Sequence, residues 1–187
     1  MKKLLLFITV LFFGISTINA QDDASYGYEA GDWVLGGGVT FGSMDMGGVE
    51  TKMNTIAPQV GYFLNENSAL GLNLGLTSTD VDGTKVSNTT FGLAYYNYFM
   101  DLGEKTKLWW AVGFGTSSGD SFPDAQTRLG SGIGMNYFVN ENIIINFQLA
   151  NILQYVKQGD DSSMMLGWEG EINNVNATPS LSIFFKL

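Results

Sequence analysis

The stretch Ala69–Thr77, with the sequence A-L-G-L-N-L-G-L-T, alternates strictly between leucine and small or polar residues. In an extended strand, Leu70, Leu72, Leu74 and Leu76 would share one face, and the residues between them would share the other. A helix has a period of about 3.6 residues, so it would spread these leucines around its axis. The stretch therefore predicts a β-strand with one strongly apolar face.

The same period of two recurs along the chain, where large apolar residues alternate with glycine, alanine, serine, threonine, asparagine and glutamine. Each segment has about the ten residues that a tilted strand needs to cross a bilayer. The pattern predicts an all-β fold. The eight predicted strands cover approximately residues 32–42, 52–64, 69–79, 88–100, 106–117, 126–139, 143–154 and 177–187.

The connections between these strands alternate in predicted length. Short turns are predicted at Asn65–Ser68, Asp101–Lys105 and Asn140–Asn142. Longer loops are predicted near 43–51, 80–87, 118–125 and 155–176, of which the last is much the longest. Short turns at one end and long loops at the other are typical of outer-membrane barrels, whose short turns face the periplasm. An even number of strands places both chain ends on that same side.

Two architectures contain eight alternating strands: a soluble lipocalin-like barrel with an apolar interior, and a membrane barrel with an apolar exterior. Charged residues make up 14% of the chain, against roughly 25% in ordinary soluble domains. The second face of each strand carries small and amide residues, which fit the crowded interior of a narrow barrel. The sequence therefore favours an eight-stranded antiparallel up-and-down transmembrane β-barrel, with the secreted soluble ligand-binding barrel as an alternative.

The first twenty residues have the features of a secretory signal peptide. Lys2 and Lys3 precede the apolar run Leu4–Ile15, and Ala20 is a small residue before the expected cleavage point. A retained transmembrane helix is disfavoured, because the apolar run is short for a bilayer span. The predicted organisation is a cleaved signal peptide over 1–20, a short periplasmic N-terminal segment over 21–31 and an outer-membrane β-barrel over 32–187.

The signal peptide, the eight alternating strands, the tight turns and the final strand P-S-L-S-I-F-F-K-L resemble small outer-membrane β-barrel proteins of the OmpA/OmpX/OmpW-like group. The resemblance covers essentially the whole chain after residue 20. It implies a monomer in the outer membrane of a Gram-negative envelope, in contact with lipid and inserted by the barrel-assembly machinery. In that family the last strand is a recognition signal that usually ends in Phe. This chain ends in Leu187, with Phe185 two residues earlier, which makes the signal less typical.

The residue types exclude several functions. The sequence contains no His and no Cys, so Ser–His catalysis and metal sites of imidazole or thiolate cannot be built. The formal net charge of −9 disfavours nucleic-acid binding. The stretch Asp80–Gly83 resembles the start of a calcium loop, but Phe91 stands at the position of the required Glu, and turn chemistry accounts for the stretch. We expect a protein that is not an enzyme and has no cofactor or metal.

An eight-stranded barrel leaves room only for side chains or one small ligand, so a plugged interior is favoured over a pore. Asp32 begins the first strand and Lys186 ends the last, so we expect an ion pair across the closing seam. A structural role for the inward charges is favoured over ligand binding. By parity, the candidate lumen-lining residues are Asp32, Asn73, Tyr96, Tyr98, Trp109, Arg128, Asn136, Asn146, Gln148 and Lys186.

Two further groups of residues are predicted on the surface. A Tyr–Phe pair precedes each short turn, which predicts an aromatic girdle at the periplasmic interface, with some rings pointing inward. The girdle comprises Trp33, Tyr62, Phe63, Tyr98, Phe99, Trp110, Tyr137 and Phe138. The last predicted loop contains four large apolar residues that are either packed at the barrel mouth or form a recognition surface. These residues are Met164, Met165, Leu166 and Trp168.

The expected function is a structural or surface-interaction role in the outer membrane, such as adhesion or envelope integrity, with a plugged interior. The first alternative is a narrow channel or carrier for a small solute. The second alternative is a secreted soluble lipocalin-like barrel that binds a ligand. The expected partners are membrane lipid, the barrel-assembly machinery, and an extracellular partner or small solute, but no nucleic acid.

Overall fold

The structure is a computed structural model that describes residues 26–170 and 181–187, except for the side chains of 168–170. The predicted signal peptide and the first residues of the last predicted strand, 177–180, lie outside the described part. The strands of the described part are β1 (Trp33–Met46), β2 (Val49–Asn65), β3 (Ser68–Val81), β4 (Thr84–Asp101), β5 (Thr106–Gly119), β6 (Phe122–Phe138), β7 (Ile143–Gln158), β8 (Asp161–Gly170) and β9 (Leu181–Lys186).

The strands form a closed antiparallel barrel in which each strand from β1 to β7 pairs with the next one along the chain. Strand β8 pairs with the second half of β7, and β9 pairs with its first residues, so β8 and β9 together occupy the eighth position. Strand β9 also pairs with β1 over Val34–Gly37, which completes the circle. The predicted all-β, eight-stranded antiparallel barrel is confirmed.

The part of the chain that the structure describes contains no helix long and apolar enough to cross a bilayer.

The large apolar residues of the alternating pattern lie on the outside of the barrel. The leucines of β3 from Leu70 to Leu76 are between 39% and 46% exposed, whereas Phe63, Phe138 and Ile144 are almost completely inaccessible inside the barrel. A soluble barrel would not expose such a continuous apolar surface to water. The observed arrangement therefore argues against the soluble lipocalin-like alternative.

The two ends of the barrel are formed by different parts of the chain. We call the end with residues 26–32, Leu187 and the turns after β2, β4 and β6 the terminal end, and the opposite end the distal end. Long loops were expected at the distal end, but this prediction is wrong for the described residues. The strands instead continue into two-residue turns at Gly47–Gly48, Asp82–Gly83, Asp120–Ser121 and Gly159–Asp160.

The polar composition of the distal hairpins explains this difference. Polar side chains of these hairpins bond across the strands, so the β ladder continues beyond the apolar band. Asn88 Nδ2 donates to Ser121 Oγ at 2.9 Å. In the turn after β3, Asp82 and Gly83 have φ values of 49° and 84°, as a two-residue type I′ hairpin turn requires. A hairpin exposed to water therefore has the composition of a loop.

Residues 26–32, which we call the N-terminal plug, precede β1 and fold back into the terminal end. Gly31 has a φ of 96°, a conformation that glycine adopts without strain. Its N–H donates to the carbonyl oxygen of Phe63 at 2.8 Å, which fixes the plug to β2. Tyr28 is only 4% exposed and enters the barrel interior. The described part of the predicted segment 21–31 thus contributes to the interior packing.

Candidate functional site: the barrel interior

The terminal half of the interior is filled by an aromatic core. The ring of Tyr28 stacks on Phe63 with centroids 3.8 Å apart and an angle of 15° between the planes. Tyr98 and Phe138 flank the same ring at centroid distances of 5.0 and 5.1 Å. Ile144 is completely buried in the same cluster. The N-terminal plug therefore closes this half of the barrel through Tyr28.

One buried amide satisfies the hydroxyl groups of the aromatic core. Asn136 Nδ2 donates to Tyr28 Oη at 2.6 Å and to Tyr98 Oη at 3.2 Å. Asn136 Oδ1 accepts a hydrogen bond from Asn146 Nδ2 at 2.6 Å. Burial raises the pKa of Tyr28, because the plug environment disfavours the charged form. The Tyr28 hydroxyl is therefore neutral when the plug is in place.

An ion pair joins the two ends of the chain at the mouth of the terminal end. Lys186 Nζ lies 3.4 Å from Asp32 Oδ2, and each side chain is just under one-fifth exposed. Lys186 Nζ also donates to the carbonyl oxygen of Gly27 at 3.1 Å. The predicted Asp32–Lys186 ion pair is confirmed. Lys186 thus connects β9 to the N-terminal plug as well as to the start of β1.

Two aromatic rings cross the interior above the aromatic core. Tyr96 and Trp109 meet edge to face, with centroids 5.3 Å apart and an angle of 76° between the planes. A Cβ atom at Gly71 would lie 2.9 Å from Cε2 of Tyr96, and a Cβ at Gly134 would collide with the Trp109 ring. The rings therefore fit only because glycine stands opposite each of them on a neighbouring strand. We call this pair of rings the aromatic floor.

The described residues line two spaces inside the barrel. A pocket of about 50 Å³ is bordered by Tyr28, Asn73, Tyr96 and Asn136, within the packed half. A larger cavity of about 380 Å³, which we call the distal cavity, has the aromatic floor among its lining residues. Five glycines contribute to the lining of the distal cavity, and they leave it wide. These are Gly92, Gly113, Gly115, Gly130 and Gly132.

The structure places the ten candidate lumen-lining residues at three levels of the interior. Asp32 and Lys186 stand at the mouth of the terminal end. The aromatic core contains Tyr98, Asn136 and Asn146. The residues that border the two cavities are Asn73, Tyr96, Trp109, Arg128 and Gln148.

Three members of the predicted aromatic girdle do not face outward. Phe63, Tyr98 and Phe138 are 1%, 9% and 0% exposed, so they are the rings of the predicted girdle that point inward. The reason is geometrical: neighbouring residues of a strand point to opposite faces, so each Tyr–Phe pair places one ring outside and one inside. The remaining girdle residues are exposed large aromatics. These are Trp33, Tyr62, Phe99, Trp110 and Tyr137.

The candidate recognition residues lie on a strand rather than in a loop. Met164, Met165 and Leu166 belong to β8 and are 68%, 51% and 73% exposed. The prediction of a long loop here is therefore wrong, although the exposure of these residues is high. The side chain of Trp168 lies outside the described part.

Three interior residues were missed in the sequence. Tyr28 lies in Y-G-Y-E-A-G, where an aromatic residue between glycines next to the first strand was the available signal. Asn151 and Gln154 border the distal cavity. A bulge at Leu149 shifts the parity of β7 by one residue and turns Asn151 inward, and a second bulge at Ile152 restores the original parity before Gln154. An alternation count cannot locate such bulges.

Residues 26–170 and 181–187 include no group of three or more His, Cys, Asp or Glu side chains arranged to hold a metal ion.

Comparisons with solved structures place this architecture among bacterial outer-membrane barrels. The crystal structure of the N-terminal β-barrel domain of Pseudomonas aeruginosa OprF aligns with a TM-score of 0.50 and 14% identity, over 85% of this chain and 98% of that domain. The solution structure of the Escherichia coli outer membrane protein W aligns with a TM-score of 0.45 and 14% identity, over 85% of this chain and 97% of that protein. No protein-family model and no curated protein match the sequence. The OprF comparison confirms the expected fold resemblance.

Proposed function

We propose that the protein is an integral outer-membrane barrel whose apolar exterior contacts lipid and whose interior is closed by its own N-terminal segment. The observation that carries this proposal is the outward position of the large apolar side chains on a closed barrel. Closure pairs the backbone groups of neighbouring strands, which a strand in hydrocarbon requires. The fold shared with the OprF domain supports the same location.

The terminal end faces the periplasm in this proposal. The exposed girdle rings of Trp33, Tyr62 and Tyr137 lie near this end, where the amphipathic rings would meet lipid headgroups. Strands of 14 to 18 residues from β1 to β7 exceed the roughly ten that a bilayer requires. The surplus consists of the polar hairpins of the distal end. These hairpins would therefore extend into the external medium.

The proposed role is structural, with a surface for external partners. The N-terminal plug and the aromatic core support a closed rather than a conducting interior. Met164 and Leu166 on β8 are the candidate contact residues, because they are large, apolar and exposed on a hairpin that extends from the distal end. The alternative role, a carrier for a small solute, is favoured by one observation, the distal cavity.

Three measurements test the proposal in a Gram-negative host. The full chain should fractionate with the outer membrane, and the folded barrel should migrate differently on a gel before and after boiling. In a planar bilayer the wild-type protein should give no steady conductance. Recovery of the chain in the soluble fraction would contradict the membrane location, and a steady open channel would contradict the closed interior.

We test the candidate contact surface by substitution rather than by deletion, because residues 161–170 form part of the barrel. Replacing Met164 and Leu166 by serine should reduce binding of expressing cells to host or abiotic surfaces without changing the yield of folded barrel. Met46→Ser on β1 is a control at an exposed apolar position of another distal hairpin. Equal binding by the wild-type protein and both variants would contradict an adhesive role for β8.

A further inference from the structure

The distal cavity has the dimensions and the shape of a ligand site. Its volume of about 380 Å³ falls within the range of small-molecule pockets. The cavity is open rather than enclosed, and the aromatic floor separates it from the packed core. A molecule that enters from the distal end would therefore reach a dead end at Tyr96 and Trp109.

The cavity also has a distinct charge. Among the described residues that line it, Arg128 is the single charged one and none is a carboxylate. Arg128 Nε donates to Gln126 Oε1 at 2.6 Å, and no described carboxylate forms a salt bridge with Arg128. The terminal nitrogens of a guanidinium group can bind a carboxylate through two parallel hydrogen bonds. The described part of the lining therefore favours a negatively charged group over a positive one.

The remaining lining favours a flat, weakly polar body next to that charge. The rings of Tyr96 and Trp109 provide an aromatic surface, and the surrounding glycines leave room for a planar group against the backbone. One side of the cavity carries amides, where Gln148 Nε2 donates to Asn151 Oδ1 at 2.7 Å. Arg128 pairs with Gly115 and Val156, on the side of the cavity away from the aromatic floor.

We propose that the distal cavity binds small organic carboxylates that have a ring-sized apolar body. The carboxylate faces the Arg128 guanidinium, and the apolar body extends from there toward the aromatic floor. This site gives the carrier role of the barrel a chemical class of ligand. The proposed site depends on the proposed membrane function only through the orientation of the barrel, because a ligand from outside the cell can enter only if the distal end is external.

The first test compares three probes of similar size and different charge. The full chain, refolded in detergent micelles, is titrated calorimetrically with benzoate, benzyl alcohol and benzylamine. We expect saturable binding of benzoate, binding of benzyl alcohol that is about tenfold weaker, and no measurable binding of benzylamine, because a charge-assisted hydrogen bond to arginine is worth about one order of magnitude. Equal heats for the three probes would show partition into detergent and would overturn the proposal.

The second test uses matched variants. Arg128→Gln should weaken benzoate binding about tenfold, whereas Lys157→Gln should leave it unchanged. Lys157 carries the same charge on an exposed part of β7 that does not line the cavity. Gel mobility before and after boiling confirms that each variant is folded. Equal affinities of the two variants for benzoate would overturn the proposal.

The third test locates the bound ring. Benzoate should shift the indole N–H resonance of Trp109, assigned by its loss in Trp109→Phe, and leave that of Trp110 in place. Trp110 is the adjacent residue but faces outward and is 40% exposed. A shift at Trp110 alone would place the probe in the micelle. All three tests are done in micelles, so their failure would contradict the carboxylate site and not the membrane location. Failure of the protein to fractionate with the outer membrane would contradict the membrane location and not the carboxylate site.

Discussion

The two halves of the barrel interior are built on the same strands but have opposite packing. In the terminal half, inward positions carry Phe63, Tyr98, Phe138 and Ile144, and Tyr28 fills the space between them. In the distal half, glycines line the walls and leave a cavity of about 380 Å³. Alternation alone therefore determines which residues face inward. Their sizes determine whether a narrow barrel is solid or hollow.

The largest effect should come from removing the ring that fills the terminal half. Tyr28→Ala should destabilise the packed half by about 3 kcal/mol, because it removes the stacked ring and a buried hydrogen bond. Tyr26→Ala is the control, since Tyr26 contacts Phe138 edge to face at 6.3 Å and Lys105 Nζ at 4.6 Å but is not among the buried residues of the core. The contrast between the halves fails if the two variants are equally stable in denaturant titration.

The next effect concerns the hydrogen bonds of the packed half. Asn136→Ala should lower the free energy of unfolding by about 2 kcal/mol, because it removes the partner of the Tyr28 and Tyr98 hydroxyl groups within a buried core. Asn54→Ala, at an exposed position of β2, should have almost no effect. Both variants are compared by denaturant titration of the refolded barrel. Similar unfolding midpoints for the two would refute the role of Asn136.

A third comparison tests a glycine that packs against the aromatic floor and a glycine of β3 that does not. Gly134→Ala should destabilise the barrel by about 1.5 kcal/mol, because the added methyl group would collide with the Trp109 ring. Gly75→Ala should be neutral or slightly stabilising, since its nearest neighbour, Thr90 Cβ, lies at an ordinary contact distance of 3.4 Å. Trp fluorescence provides a second measurement. An unchanged emission spectrum and midpoint in Gly134→Ala would contradict the position of the ring.

The smallest effect should come from the mouth of the terminal end. Lys186→Met should cost about 0.5 kcal/mol, because the Asp32 pair is partly exposed and water screens it. The loss should shrink in 1 M salt, where the Debye length is about 3 Å. Lys85→Met, at an exposed position of β4, is the control. A loss that does not depend on salt would assign the role of Lys186 to packing instead of charge.

The sequence predicted the apolar exterior and the barrel because each of these depends on local alternation. The alternating leucines from Leu70 to Leu76 define one apolar face, and this does not depend on which strands lie beside them. The Asp32–Lys186 pair was also predictable, since closure of an even-stranded barrel must bring the first and last strands together. These predictions need only parity and strand order.

The remaining features depend on long-range packing or on turn geometry. The position of Tyr28 follows from contacts with Phe63 and Phe138, which are distant in sequence. The distal hairpins do not alternate regularly, as the consecutive apolar residues Met164, Met165 and Leu166 show, so a period of two does not identify strands there. The bulge at Leu149 shifts parity by one residue, which hides the side-chain direction of Asn151.

The closing seam has a consequence for assembly of the barrel. Strand β9 pairs with β1 through a ladder that includes Val34–Gly37. This ladder joins the first and last strands, so it completes only after both strands are available. An inserting chain therefore presents this edge while the rest of the wall is already formed.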